Sequence, residues 1–197
     1  MTAADLRQPD LLEQTLSLVQ RAHRDLPRHL RGPALSFWVF QVLRDDAATL
    51  AGGGSRHILA LPDLLAEAEV LERIVGRIDM VPGHNDLLPG NVLHDGTRMW
   101  LIDWDHAGWG SPLFDLGGLS ANCGLDPAQE DWLLARCFGQ APDADLWRRY
   151  RAMKAAAALP EAMWSMVQEI HSELEFDDAA HTAEYLETFR TALAATR

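Results

Sequence analysis

Residues 80–104 read MVPGHNDLLPGNVLHDGTRMWLIDW, and this stretch decides how the rest of the chain is understood. Two short apolar runs, Asn91-Val92-Leu93-His94 and Met99-Trp100-Leu101-Ile102, flank Asp95-Gly96. An Asp-Gly pair between apolar runs is a strong local signal for a β-hairpin. Polar residues gather on both sides of it: His84, Asp86 and Asn91 before, Asp103 and Asp105 after. A hairpin folds the chain back, which returns Asp103 to the neighbourhood of Asn91. The turn length, and with it the face that Asp103 takes, stays open. Asn91 and Asp103 together offer hard oxygen ligands of the kind Mg²⁺ accepts, with phosphates and water supplying the rest. Asp86, on the same loop as Asn91, is placed to accept a proton from an attacking hydroxyl.

On either side the texture is helical. Residues 10–27 carry Leu11, Leu12, Leu16, Val19, Ala22 and Leu26 at three- and four-residue steps and close at Pro27, which predicts an amphipathic helix. A second helix is expected from Pro33 to about Leu50, and a third from Pro62 to about Val75. Between them Gly52-Gly53-Gly54-Ser55 reads as a plain interhelix loop, since no strand precedes it and no GxGxxG spacing follows. After Trp109-Gly110-Ser111-Pro112, helices are expected over 115–122, capped by Asp115, and over 126–138, 143–158, 160–174 and 178–195. The expectation is a mainly α fold with a small central β-hairpin. Nothing resembling a repeat, a low-complexity tract or a long linker divides residues 1–197, so a single domain is expected.

Composition narrows the function. The 197 residues carry a net charge of -12 and are 48% hydrophobic, enough for a real core in one domain or two small ones. With seven tryptophans and six phenylalanines the chain is too apolar to be disordered, and it is too acidic for a sequence-independent nucleic-acid binder. No run of eighteen apolar residues occurs, and no basic region leads into an apolar stretch after Met1, so neither a membrane partner nor secretion is expected and a cytoplasmic location is. Cys123 and Cys137 are too few for a disulfide framework and lack CxxC spacing; they read as core or surface thiols in a reducing compartment. Of the basic residues only Lys154 is lysine.

The loop His84-Asn85-Asp86-Leu87-Leu88-Pro89-Gly90-Asn91, with Leu101-Ile102-Asp103-Trp104 after it, resembles the catalytic loop and metal-binding Asp of the kinase superfamily. It is similar to the small-molecule branch, which has HxDxxxxN where protein kinases have HRDxxxxN. The resemblance implies that Asp86 is the catalytic base, that Asn91 and Asp103 ligate Mg²⁺, that His84 orders the loop, and that ATP is the co-substrate. Asp105 stands where choline and ethanolamine kinases often carry Glu, and His106 replaces the Tyr common after it. Asp115, in Phe114-Asp115-Leu116-Gly117, resembles the family Asp that begins the next helix and hydrogen-bonds the catalytic loop.

Between Lys154 and Arg190 the chain carries eight carboxylates and no Lys or Arg. Such a run is commonly just a solvated face. Here it also contains Trp164, Phe176 and Tyr185, and aromatic rings beside carboxylates hold quaternary ammonium groups by cation–π attraction. Choline fits both features; an aminoglycoside fits the acidity alone. The segment Glu161 to Gln168, with Phe176-Asp177 and Tyr185, is similar to a choline/ethanolamine kinase pattern, with Trp164 as its second tryptophan and Glu161 in place of the first. A complete aromatic cage would then need a wall from Trp109 or Trp104.

The chain is thus similar to the choline/ethanolamine kinase-like branch of the aminoglycoside phosphotransferase superfamily, from the helix bearing Gln20-Arg21-Ala22-His23 onward. The resemblance implies a protein-kinase-like C-terminal lobe, but the first 80 residues read as helices, with no strand lysine and no phosphate-covering loop. A lobe lacking the N-terminal β lobe is expected, impaired as a catalyst, with an exposed surface that invites a homo-oligomer or an N-lobe partner chain. The implied function is transfer of the ATP γ-phosphate to a small cationic amino alcohol. The alternative is a non-catalytic, pseudokinase-type module that holds a small cation or a partner protein.

Overall fold

The computed structural model describes residues 1–172 and 176–196. The chain opens with the single turn α1 (Ala3–Leu6), closed by a capping box between Thr2 and Asp5, and the amphipathic α2 (Pro9–Asp25). Helices α3 (Val39–Gly52) and α4 (Leu61–Val75) follow. The central segment supplies β1 (Val81–Gly83), β2 (Val92–His94), β3 (Met99–Leu101) and β4 (Gly108–Gly110). The remainder is α5 (Pro112–Cys123), α6 (Pro127–Phe138), α7 (Ala144–His171) and α8 (Asp178–Ala194). The fold is mainly α, as the sequence pattern predicts. Two compact units are present: Met1–Phe37 with Arg77–Trp147, and Trp38–Gly76 with the described residues from Arg148 onward.

The first unit holds every strand. The expected hairpin is β2 against β3, with Leu93 opposite Trp100. Its turn is tied by Asp95 Oδ1, which accepts from the amides of Thr97 and Arg98 at 2.8 Å each. A second antiparallel pair, β1 with β4, goes beyond the one hairpin expected: VPG and GWG are too short and too rich in glycine to show alternation. The second helix also starts later than its apolar spacing predicts, at Val39 rather than Pro33. Residues 35–37 instead run alongside β4, where the amide of Trp109 donates to Leu35 O and that of Phe37 to Trp109 O, both at 2.8 Å. Tertiary hydrogen bonding there overrides a helical pattern. The approach is close: a Cβ on Gly110 would lie 2.7 Å from Phe37 O, and one on Gly108 2.9 Å from Leu35 O. Beneath this layer Leu12, Leu16, Val19, Leu87, Val92, Leu116 and Leu119 form the core.

The second unit packs α3 and α4 with most of α7 and with α8. Phe40, Leu43, Leu50, Leu71, Val75, Met153, Leu159, Met163, Met166 and Phe189 are buried in it. The two helices expected at 143–158 and 160–174 are one continuous α7 with Pro160 inside. Proline withholds a hydrogen bond from the preceding turn, but the buried run Ala155–Leu159 on one side and Ala162, Met163 and Met166 on the other keep the helix on course. Glu72 ties α4 to α3, accepting from Trp38 Nε1 at 2.6 Å and Arg44 Nη1 at 2.8 Å. Burial alone would raise its carboxyl; those two hydrogen bonds hold it below the usual range. Glu173 and Glu175 of the acidic run, and the end of the helix expected at 160–174, lie outside the described residues.

Burial pushes the Cys123 thiol up to about 12 and that of Cys137 to about 11, so both stay protonated, as expected of unreactive thiols. No helix among the described residues is long and apolar enough to cross a membrane.

Gly110→Ala forces a methyl against the Phe37 carbonyl and is expected to lower stability by roughly 1–3 kcal/mol in a denaturant titration. An unchanged midpoint would mean that residues 35–37 do not lie against β4. A second test uses pH. Burial, with Asp45 adjacent, lifts the Asp46 carboxyl to about 6. Its folded-state value lies above the ordinary one, so the ionised group destabilises the fold above about pH 6 and ceases to do so as pH falls toward about 4. Asp46→Asn should therefore stabilise the protein at about pH 8, by no more than about 1 kcal/mol because the group still meets solvent, and the gain should vanish near pH 4.

Candidate active site

The loop from His84 to Asn91 leaves β1 and enters β2 through a 3₁₀ turn over Pro89–Asn91. Its first residues are pinned by one buried carboxylate. Asp115 Oδ2 accepts from the His84 amide at 3.0 Å, and Oδ1 from the Asn85 amide at 2.8 Å. His23 Nε2, from the buried face of α2, lies 2.7 Å from the same Oδ2. Asp115 is therefore not the cap of α5 that the sequence suggests; Ser111 is, through its hydroxyl to the Leu113 amide, with Pro112 as the first helical residue. Released from capping, Asp115 turns into the loop.

His84 is buried, and its Nε2 lies 2.8 Å from Ile102 O while its ring packs 4.6 Å from Trp104. Asn85 holds a left-handed φ of 62°, a conformation Asn tolerates better than most residues. Its side-chain Nδ2 reaches across to His106 O at 3.0 Å. These contacts join the loop to the segment that follows β3.

Asp86 is half-buried, and its Oδ2 accepts from Asn91 Nδ2 at 2.7 Å. The Asn91 amide also donates to Asp86 O at 3.0 Å. With its nitrogen so engaged, Asn91 has Oδ1 left as an acceptor for a cation. Burial raises the Asp86 carboxyl, and Asp103 adds to the rise; His106, the Asn91 hydrogen bond and His84 work against it. A carboxylate raised in this way is a better proton acceptor than a solvated one.

The register settles what the sequence left open. Ile102 N donates to Asn91 O at 3.0 Å, so Asp103 emerges one residue beyond the paired position. Asp103 is exposed, at a left-handed φ of 61°. Asn91 Oδ1 and the Asp103 carboxylate are hard oxygen donors that fit Mg²⁺. Among the described residues no cluster of three or more His, Cys, Asp or Glu could hold a metal, so an ion there would draw its remaining ligands from phosphate and water. Beside this edge the hairpin shows Leu93, Trp100 and Ile102 to solvent, an apolar face the sequence reading passed over. Asp105 is exposed in the turn before β4, and the backbone of Trp109 is clamped between β1 and residues 35–37.

Glu161 and Trp164 lie on α7 and Tyr185 on α8, all in the second unit. They meet around a residue the sequence reading missed, His181. Its ring centroid is 4.6 Å from Tyr185, 6.0 Å from Trp164 and 5.4 Å from Phe176. Glu161 Oε2 stands 3.8 Å from its Nε2. A signal was present for each missed histidine. His23 continues the Leu12, Leu16, Val19 stripe, and His181 lies one turn before Tyr185.

This fold and loop define a kinase-like phosphotransferase lobe, and comparison with known proteins places it. The chain belongs to the phosphotransferase enzyme family, whose model matches residues 3–153. It is 29% identical over 115 residues to Protein LicA of Haemophilus influenzae, an alignment covering 55% of this chain and 43% of that protein. The chain thus matches less than half the length of this curated relative. Among solved structures, a choline/ethanolamine kinase family protein from Mesorhizobium loti superposes with a TM-score of 0.79 at 23% identity, covering 100% of this chain and 70% of the other. Choline kinase LicA from Streptococcus pneumoniae gives 0.76 at 15% identity, covering 99% and 66%. At these identities the likeness shows the fold.

Asp115→Ala would leave His23 and two loop amides facing an empty space. It is expected to cost about 3–5 kcal/mol in a denaturation experiment. A loss under about 1 kcal/mol would show that the loop is held by something else.

Proposed function

We propose that this chain is the catalytic and acceptor-binding lobe, residues 1–197, of a cytoplasmic small-molecule kinase that transfers the ATP γ-phosphate to the hydroxyl of a small cationic amino alcohol. The observation that carries the proposal is the Asn91 amide bonded to Asp86 at 2.7 Å, which fixes a half-buried carboxylate beside an amide oxygen free to meet a cation. A module that only binds a cation has no use for Asp86, Asn91 and Asp103 together, which is why the non-catalytic reading is not preferred.

In this reading Asp86 orients the acceptor hydroxyl and takes its proton as the oxygen bonds to the γ-phosphorus and the bond to the β-phosphate oxygen breaks, releasing ADP. Asn91 and Asp103 would hold Mg²⁺, which when bound neutralises charge on the transferring phosphates. His84 would keep the loop in shape. The apolar face of Leu93, Trp100 and Ile102 beside this edge suits a nucleotide base. Glu161, Trp164 and Tyr185 are the proposed ammonium contacts of the second unit, and Asp105 and Trp109 are acceptor contacts proposed separately for the first. The H. influenzae and S. pneumoniae relatives are both LicA, and the latter is a choline kinase, which supports this acceptor class.

Residues 1–197 by themselves are proposed to be a slow catalyst, since their one lysine, Lys154, lies in α7 and not on a strand facing the α and β phosphates. A homo-oligomer, an N-lobe partner chain or a lobe outside residues 1–197 is the proposed source of that cover.

Calorimetric titration of choline, ethanolamine and an aminoglycoside, with and without Mg-ATP, tests the acceptor. One amino alcohol should bind saturably and more tightly with Mg-ATP. ADP release in its presence should fall a hundredfold or more in both Asp86→Asn and Asp103→Ala. Release that persists in both variants would put the chemistry elsewhere.

A further inference from the structure

His181 is the only ring in the second unit's aromatic cluster that carries both a hydrogen-bonding nitrogen and a neighbouring carboxylate among the described contacts. Its Nε2 is buried and has no hydrogen-bond partner among the described residues. The nearby Glu161 Oε2, at 3.8 Å, lies beyond hydrogen-bond range. A buried polar atom left unpaired is unfavourable, and native structures rarely keep one without a reason. A second such atom, Asp178 Oδ1, lies in the first turn of α8. With Glu161 and the helix-capping Asp177 it makes this end of α8 attractive to a cation.

Trp164 and Phe176 are exposed, and their rings stand 6.3 Å apart. Aromatic faces attract any organic cation, quaternary or not, so they cannot tell one ammonium from another. A neutral imidazole can. Its unprotonated nitrogen accepts a hydrogen bond from an N–H, and a quaternary ammonium has none to give. Placing methyl groups against Nε2 would leave that nitrogen unpaired. A site built around a hydrogen-bonding group rejects the analogue that cannot use it far more strongly than an apolar pocket rejects an extra methyl.

We infer that His181 Nε2 and Glu161 Oε2 receive two N–H groups of one ammonium ion, so that His181 selects amino alcohols bearing N–H over quaternary ones. This rests on the acceptor reading proposed above and adds to it the class of amine and the residue that decides it. The 3.8 Å gap between the two atoms is one that a single nitrogen can bridge after a small adjustment.

The test is a graded series titrated calorimetrically into the full chain at about pH 8. Ethanolamine, N,N-dimethylethanolamine and choline carry three, one and no N–H groups on the charged nitrogen. Affinity should fall in that order, with choline weaker than ethanolamine by about tenfold or more. His181→Phe keeps a ring and removes the nitrogen; it should bring the three within about twofold while choline binding persists. His181→Gln retains an acceptor oxygen and should keep the order. Choline bound as tightly as ethanolamine by the unaltered chain would overturn this inference and leave the kinase proposal standing, as would an undiminished preference in folded His181→Phe. No binding of any of the three would overturn both. Should His181→Phe fail to fold by circular dichroism, the order of the three ligands on the unaltered chain still decides.

Discussion

The structure around the candidate site depends on one carboxylate. Asp115 is buried and meets two loop amides and the His23 imidazole at 2.7–3.0 Å. Taking a carboxylate out of water is expensive unless its oxygens are met by well-aligned donors, and here they are met from two directions. The loop cannot leave without exposing that charge to an apolar interior. Held there, Asn85 can carry its left-handed backbone and reach His106, while Asp86 lies within reach of the Asn91 amide. Shape at Asp86 is thus set by a residue nearly thirty positions later, anchored by another on α2.

Much of this was legible because the signals are local. The hairpin declared itself through Asp95-Gly96, and the His84, Asp86, Asn91 spacing pointed to a functional loop without any knowledge of the fold. What escaped was non-local. The β1 and β4 strands are three residues each, and Gly83, Gly108 and Gly110 are there for close approach, not for an apolar pattern. Pro33–Val42 has the spacing of a helix, but its first residues are claimed by hydrogen bonds to Trp109 that no window of sequence contains. The resemblance already gave Asp115 its bonds to the loop, and only its second reading, as the cap, was misplaced: Ser111-Pro112 caps the helix and was in plain view.

Histidines were under-read for a different reason. On a buried stripe a histidine resembles any other half-apolar residue, and only its partner reveals its use. His23 has Asp115, and the contrast with His181 is instructive: one imidazole is satisfied by a carboxylate at 2.7 Å, while the Nε2 of the other stands 3.8 Å from one and has no hydrogen-bond partner among the described residues. The first belongs to the scaffold.

Two residues near the His84–Asn91 loop hold a backbone shape that suits glycine better: Asn85 and Asp103, at φ of 62° and 61°. Asn and Asp tolerate this shape better than other side chains, yet less freely than glycine. A chain selected only to stay folded would relieve that strain with glycine, which adopts this shape freely. Glycine, however, has no amide to reach His106, as Asn85 does, and no carboxylate, as Asp103 has. At these two points the chain therefore carries side chains that backbone shape alone would not choose.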